Sequence, residues 1–411
     1  MVRHLHWAIA CVLAGGSILS AQEWTGWRGP SRDGAVAAAM VPKPWPKSLA
    51  KSWQVEVGEG YSSPVVSRGR AFVHSRRDPD EIVTAIDLAT GKVAWQKQYG
   101  AAFQKNQYAA QMAKGPNSTP LVAGTNLYTL GVTGVLSAWN TSDGALIWRE
   151  DYSASVDTSK LFCGTAMSPM LDGGSLVVQV GSDVHGGRVM ALDPATGKQR
   201  WAWKGLGPGY ASPLSLTVGG VRQLVTLTNG SIIGIDAATG ASLWSVPFPD
   251  DWHENIASPV WTGSHVVVSG TRQGTHAYAI GNAGGTWAAK LAWKNPDVTM
   301  YTSSPVFADG RIYGLSAKRR GQFVMLDAAT GAVKWATEGR DGNHASILVA
   351  PEHVLFLTDG GTLIVTPRGS DTFVEERRYE IGTSTTWAIP VLLPDGMLVR
   401  EATGVIRLAW N

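Results

Sequence analysis

Apolar residues come in short runs along this chain, and each run is closed by Gly, Asp, Asn or Pro. One stretch shows the pattern: Met170 and Leu171, a turn at Asp172-Gly173-Gly174, a run from Ser175 to Gly181, then another from Arg188 to Leu192. Short runs of this kind, bounded by turn formers, predict strands joined in hairpins.

The runs repeat. Asp87-Leu-Ala-Thr90-Gly91 leads to Trp95, Asp193-Pro-Ala-Thr196-Gly197 to Trp201, Asp236-Ala-Ala-Thr239-Gly240 to Trp244, and Asp327-Ala-Ala-Thr330-Gly331 to Trp335. Asn140-Thr-Ser-Asp143-Gly144 to Trp148 is a weaker copy. A second phrase opens an apolar strand at Ser63-Pro64, Thr119-Pro120, Ser168-Pro169, Ser212-Pro213, Ser258-Pro259 and Ser304-Pro305, with degenerate copies at Ser346-Ile347 and Ile389-Pro390. A period of roughly 45 residues implies one small sheet per repeat, stacked around an axis. The expected fold is all-β: an eight-bladed β-propeller of four-stranded antiparallel blades, with strands A to D running outward.

Blades are expected at about 58–100, 115–152, 162–206, 207–249, 252–297, 299–340, 342–382 and 384–411. The last run supplies three strands: Ala388 to Leu392, Met397 to Glu401 and Val405 to Trp410. Strand 51–57, with Trp53 in the place of the repeat Trp, completes it, so the propeller spans 48–411. Closing the ring with both chain ends removes an exposed edge. Residues 22–47, rich in Pro, Trp and Gly, read as an irregular arm packed on the ring.

The first 21 residues are mildly basic, then apolar from Trp7 to Leu19, with small residues at Ser20-Ala21. They read as a secretory signal peptide, cut after Ala21, and predict a periplasmic or secreted protein with no transmembrane span. A lipoprotein cysteine at Cys11 is the rival reading. Removal of the signal leaves Cys163 alone, so no intrachain disulfide forms; it reads as a small buried residue and not a reactive thiol. A net charge of +3 on 411 residues gives no reason to expect a nucleic-acid partner. Gly 48 and Trp 18 with only 16% charged residues fit tight turns and blade packing, not disorder.

Each repeat residue has a structural role to play. Gly91 and its equivalents allow a positive φ, Asp87 and Thr90 hydrogen-bond their own turn, and the Trp presents a ring to the next blade.

These motifs resemble the quinoprotein-type propeller, the family of pyrroloquinoline-quinone-like repeats, and the resemblance covers nearly all of the mature chain. The opening Trp24-Thr-Gly-Trp27-Arg28-Gly29-Pro30-Ser-Arg32-Asp33-Gly34 is similar to the start of a subgroup of exported members. The resemblance implies eight blades and two kinds of function. Quinoprotein alcohol and sugar dehydrogenases hold pyrroloquinoline quinone and calcium at the ring centre, under a disulfide of adjacent cysteines. Non-catalytic members, such as the propeller lipoprotein of the outer-membrane β-barrel assembly machinery, use the fold as a docking platform. This chain has no adjacent cysteines, no c-type haem motif, and no motif that places a calcium ligand or a catalytic Asp. A monomeric, non-catalytic scaffold without cofactor is therefore expected, with the quinone-dependent dehydrogenase and a carbohydrate-binding or carbohydrate-cleaving propeller as the alternatives.

Residues just before each Ser-Pro are expected to ring the mouth of the central channel: Tyr61, Asn117, Thr165, Tyr210, Asn255, Tyr301, His344 and Trp387. Aromatic and amide side chains around a concave opening suit a sugar or small polar ligand; the bland alternative is a solvated funnel. The B-to-C connections on that face carry Arg76, Arg77, His185, Arg188, Arg272, Lys318, Arg319 and Arg320. Together they predict a basic rim for an anionic partner, either an acidic glycan or an acidic protein segment, although Asp78, Asp80 and Glu81 could neutralise the arginines of blade 1. Insertions 101–114 and 153–161 are expected on the binding face, the first with a helical turn or two. Asp250-Asp251-Trp252-His253-Glu254 is the densest group of metal-ligand types and reads as a solvated loop.

Overall fold

The computed structural model describes residues 23–110, 112–157, 161–382 and 384–411. The expected signal segment, with Cys11, lies outside the described residues.

Eight four-stranded antiparallel sheets form the ring. Seven are built from consecutive strands; blade 1, for example, holds Val65–Ser67, Arg70–Arg77, Asp80–Asp87 and Val93–Gly100. The eighth combines Val391–Leu393, Gly396–Arg400 and Gly404–Trp410 with the N-terminal strand Leu49–Glu56. That strand is antiparallel to Gly404–Trp410, with Val55 opposite Val405. The two ends of the propeller thus close one sheet, as the orphan strand in the sequence predicts. Arg400 reinforces the seam: wholly buried, it donates to the carbonyls of Gly58, Gly60 and His74. Inner strands are apolar on both faces because each sheet is covered on both sides, whereas outer strands alternate.

The repeat phrase locks neighbouring blades. Asp87 Oδ1 accepts from the Thr90 amide and hydroxyl, which closes the C–D turn locally. Gly91 takes φ +73°, and a Cβ there would lie 2.7 Å from the ring of Trp53 on the preceding blade. The same collision would occur between Gly144 and Trp95, Gly197 and Trp148, Gly240 and Trp201, and Gly331 and Trp293. Each of these indoles lies flat on the next blade's glycine and donates Nε1–H to a carbonyl of that turn, as Trp95 does to Thr141 O at 3.0 Å. The glycine therefore serves two needs, a left-handed turn and a bare surface for an indole. Trp244 departs from the rule: blade 5 lacks the phrase, and this indole donates instead to Gln223 in its own blade at 2.8 Å.

The described part of the arm lies on the face of these turns. It pairs Trp24 with Val66 and Ala35 with Val349, and sends Trp27, Arg28 and Arg32 toward the axis.

Candidate functional site

The Ser-Pro phrase belongs to the axis. The residue before a proline is held extended, which starts strand A, and its own amide must find a partner outside the strand. That partner is the hydroxyl of the next blade. Ile389 N–H donates to Ser63 Oγ, Ser63 N–H to Thr119 Oγ1, Thr119 N–H to Ser168 Oγ, Ser168 N–H to Ser212 Oγ, Ser212 N–H to Ser258 Oγ, and Ser258 N–H to Ser304 Oγ, all at 2.8–3.1 Å. Ser303 and Ser346 link the two remaining junctions. A belt of hydroxyls therefore stitches strand A of each blade to the next.

Above this belt opens a cavity of about 350 Å³ on the face opposite the arm. Two tiers of side chains line it, one from each blade. The lower tier is the belt itself: Ser63, Thr119, Ser168, Ser212, Ser258, Ser304, Ser346 and Ile389. The upper tier lies two residues earlier: Tyr61, Asn117, Ala166, Tyr210, Ile256, Thr302, His344 and Trp387. A spacing of two returns an extended chain to the same side, so both tiers face inward. Five of the eight predicted mouth residues are this upper tier, and Tyr301 also lines the cavity from one position earlier.

Thr165 and Asn255 are not brought into the cavity. Each lies one residue off the alternation, where the neighbours Ala166 and Ile256 point inward. Asn255 is wholly buried and its amide holds the carbonyls of Thr228 and Phe248, while Thr165 is 4% exposed. Ala166, Ile256, Thr302 and the belt were legible from strict two-residue counting back from each Ser-Pro.

Blades 7, 8 and 1 contribute a stack. His344 lies parallel to Trp387 at 4.7 Å, and Tyr61 stacks on Trp387 at 5.2 Å. His344 Nδ1 contacts Thr302 Oγ1 at 3.2 Å, whereas its buried Nε2 makes no hydrogen bond among the described residues. Burial pushes the imidazole pKa down to about 4, so it is neutral at pH 7. On the neighbouring blades 5 and 6, the Tyr301 hydroxyl donates to Glu254 at 2.6 Å. Burial, reinforced by Asp250, raises the Glu254 pKa, and burial with Glu254 beside it raises that of Tyr301.

Insertion 101–114 leans over the opening, as expected, and is met there by Phe162 and Cys163, which follow the second insertion; of 153–161 no described residue lines the cavity. The Ala113 amide donates to Tyr61 Oη at 2.9 Å, the Cys163 amide to Tyr210 Oη at 3.4 Å, and the Asn117 amide to Cys163 O at 2.9 Å. Insertion 101–114 holds one 3-10 turn, Gln107–Ala109, and Tyr108 meets Phe162 across the roof. Cys163 lines the cavity, its thiol pKa pushed up to about 11 by burial and Glu254. A thiol so placed is not a thiolate at neutral pH.

The basic residues divide. The bridges Glu59–Arg76 and Pro208–Thr228 show that D-to-A links and B-to-C connections share the mouth face. Arg76, however, does not stand on an open rim: it is 2% exposed, ion-paired with Asp78 and donates to Ala101 O at 2.7 Å. Glu81 beside it is buried and takes the Tyr99 hydroxyl and the Val132 amide. Arg77 is exposed and caps Glu56 O; Arg188 is half-buried. Arg272 pairs with Asp251 and Lys318 with Asp297. Arg319 and Arg320 are exposed, hold left-handed backbones at φ 52° and 64°, and form no ion pair among the described residues. Asp250 is buried and ties its own loop by accepting from the amides of Trp252 and Glu254 and the hydroxyl of Thr271. Among the described residues no group of three or more His, Cys, Asp or Glu could hold a metal ion.

A closed ring of eight repeat blades around a blind, arm-floored channel defines a quinoprotein-type propeller. The chain belongs to the family whose model is described as outer membrane protein assembly factor BamB, matched over residues 46–114, 79–337 and 287–367. Outer membrane protein assembly factor BamB of Burkholderia pseudomallei is 24% identical over 371 residues, covering 86% of this chain and 85% of that protein. Quinohemoprotein alcohol dehydrogenase ADH-IIG of Pseudomonas putida is 23% identical over 380 residues, covering 74% of this chain. The chain spans only about half the length of some relatives, 50% of that dehydrogenase and 44% of BamB of Kangiella koreensis. Among solved structures, BamB from Moraxella catarrhalis overlays with TM-score 0.61 at 13% identity, covering 88% of this chain and 97% of that one. A europium-containing methanol dehydrogenase gives 0.68 at 14%, covering 93% and 90%. At such identities these overlays speak for the fold alone.

Proposed function

We propose that this chain is an exported, monomeric, non-catalytic propeller that binds a small polar ligand, or a short segment of a partner, in the channel-mouth cavity. The observation that carries this reading is a cavity with aromatic walls in which the buried Nε2 of His344 makes no hydrogen bond among the described residues. A buried polar atom without a partner costs stability unless something supplies one. The cavity volume lies at the small end of the range for small-molecule sites. Arg319 and Arg320, exposed on the same face and without an ion pair among the described residues, support attraction of an anionic partner toward the opening. No helix among the described residues is long and apolar enough to cross a membrane.

The dehydrogenase reading needs a site for calcium as well as quinone. Calcium takes six to eight oxygen ligands, usually with several carboxylates. The cavity offers one carboxylate, Glu254, already engaged by Tyr301. The residues present do not fit that ion.

The test titrates the purified chain with pyrroloquinoline quinone and calcium in a dye-linked alcohol and sugar oxidation assay. In parallel, a glycan array and a small-molecule thermal-shift panel are read on the chain and on Trp387→Ala. Binding without turnover, abolished in Trp387→Ala, is expected. Stoichiometric quinone binding with turnover would replace this reading by the enzymatic one.

A further inference from the structure

The belt is polar in one sense only. Six of its hydroxyls, on Ser63, Thr119, Ser168, Ser212, Ser258 and Ser304, each accept a backbone N–H, and none donates to an acceptor among the described residues. A hydroxyl has one O–H to give, so a ring of donors is left facing the cavity they line.

Directly beneath stand two guanidiniums from the arm. Arg28 Nη2 donates to Pro305 O at 2.6 Å, one residue past belt member Ser304. Arg32 donates to Ser168 O and Pro169 O at 3.2 and 2.9 Å, on the belt itself. Both cations lie against Trp27, and neither has a carboxylate within ion-pair distance among the described residues. Arg28 is 2% exposed and lines the cavity floor. The Asp33 carboxylate acts on Arg28 from beyond ion-pair distance, but Arg28 and Arg32 still repel each other, and holding like charges side by side away from water is costly. The one carboxylate in the cavity wall, Glu254, is four residues above the belt and already holds the Tyr301 hydroxyl.

We infer that the cavity floor is an anion site: the ligand of this propeller carries a carboxylate head seated on the hydroxyl belt and Arg28, with an aromatic or apolar body between the Tyr61–Trp387–His344 stack and Tyr210. The inference rests on the binding reading above and sharpens it, giving the ligand both a charge and an orientation. A guanidinium and converging O–H donors recognise a carboxylate through charge-assisted hydrogen bonds. The aromatic tier one step higher accepts a flat body.

Three probes that share an indole body and differ in the head separate the possibilities: indole-3-acetate, indole-3-acetamide and tryptamine, titrated into the full chain by calorimetry at fixed ionic strength. Indole-3-acetate is expected to bind at least ten-fold more tightly than the amide, with tryptamine weakest. Arg28→Gln should reduce the acetate to the level of the amide and leave the amide unchanged, and Arg28→Lys should restore part of the preference. Because Arg28 also anchors the arm, Ser212→Ala is the second variant. It keeps the charge, removes one donor, and should weaken the acetate several-fold more than the amide. Equal affinity for all three heads, or a preference untouched by these variants, would overturn the anion floor while leaving a binding cavity in place. Failure of all three probes to bind would overturn the carboxylate-headed aromatic ligand, while the binding reading would stand or fall on the glycan array and thermal-shift panel.

Discussion

The chain carries two repeated polar phrases, and they end in opposite states. The outer phrase, Asp-x-x-Thr-Gly, consumes its own hydrogen bonds: Asp236 Oδ1 accepts from the Ala238 amide and from the Thr239 amide and hydroxyl. The inner phrase, Ser-Pro, satisfies the backbone of a neighbouring blade and, among the described residues, leaves its hydroxyl donors unspent around the axis. A repeat that closes on itself is architecture. One that leaves donors converging on a cavity is architecture and site together. Substitutions in the outer phrase should therefore cost stability and spare binding, and substitutions in the inner tiers should change binding beyond what their stability cost explains.

The strongest challenge to the outer half of that contrast is Gly331→Ala. A Cβ would lie 2.3 Å from Trp293, and φ is +72°. Strain and overpacking together predict a loss of about 3–4 kcal/mol in urea unfolding. Ligand affinity, measured on the folded fraction, should stay at the wild-type level.

The inner tiers give a pH signature instead. The His344 imidazole has its pKa lowered to about 4 by burial. Well above pH 6.5 both folded and unfolded chains hold it neutral, and its contribution is whole. As pH falls toward 4 the unfolded chain takes up a proton that the folded chain refuses. Stability should then decline by about 3 kcal/mol, with no further loss below. His344→Gln should flatten that slope in a series of urea titrations from pH 7 to 4; an unchanged slope would place the proton elsewhere.

Asp236→Ala comes next, at about 2 kcal/mol, because three local hydrogen bonds go at once at an exposed turn. It should leave the affinity for any cavity ligand unaltered.

How much of this was legible follows the same division. The phrase containing Asp87, Thr90 and Gly91 recurs with its Trp, so blade number, ring closure by strand 51–57 and the turn geometry could all be read from spacing. The glycine's second purpose, a bare floor for the indole of the preceding blade, could not, since Trp53 and Gly91 meet only after the ring closes. The mouth was legible to within one residue. Thr165 and Asn255 lie three residues before their Ser-Pro, whereas the two-residue alternation selects Ala166 and Ile256. Arg76 was misplaced for a similar reason. Its neighbour Asp78 and the later carbonyl of Ala101 draw it inward, and only the fold brings Ala101 near. Nothing in local sequence marked Arg28 or Arg32 as channel residues, because their partners lie more than a hundred residues away on blades 6 and 3.

The smallest effect is the most discriminating. Thr119 accepts the Ser63 amide at 3.1 Å and lines the cavity. Thr119→Val keeps shape and removes the hydroxyl; Thr119→Ser keeps the hydroxyl and removes a methyl. If the belt is chiefly a joint, the valine should cost the penalty of an unsatisfied buried amide, about 2–3 kcal/mol, with affinity following stability. If the belt is also a floor, the amide faces a cavity where water can replace the lost partner. The cost should then fall to about 1 kcal/mol. Affinity for a carboxylate-headed ligand should nonetheless drop several-fold, and the serine variant should bind as the parent does. Urea midpoints and calorimetric titrations on the same two variants give both readings, and their ratio separates the joint from the floor.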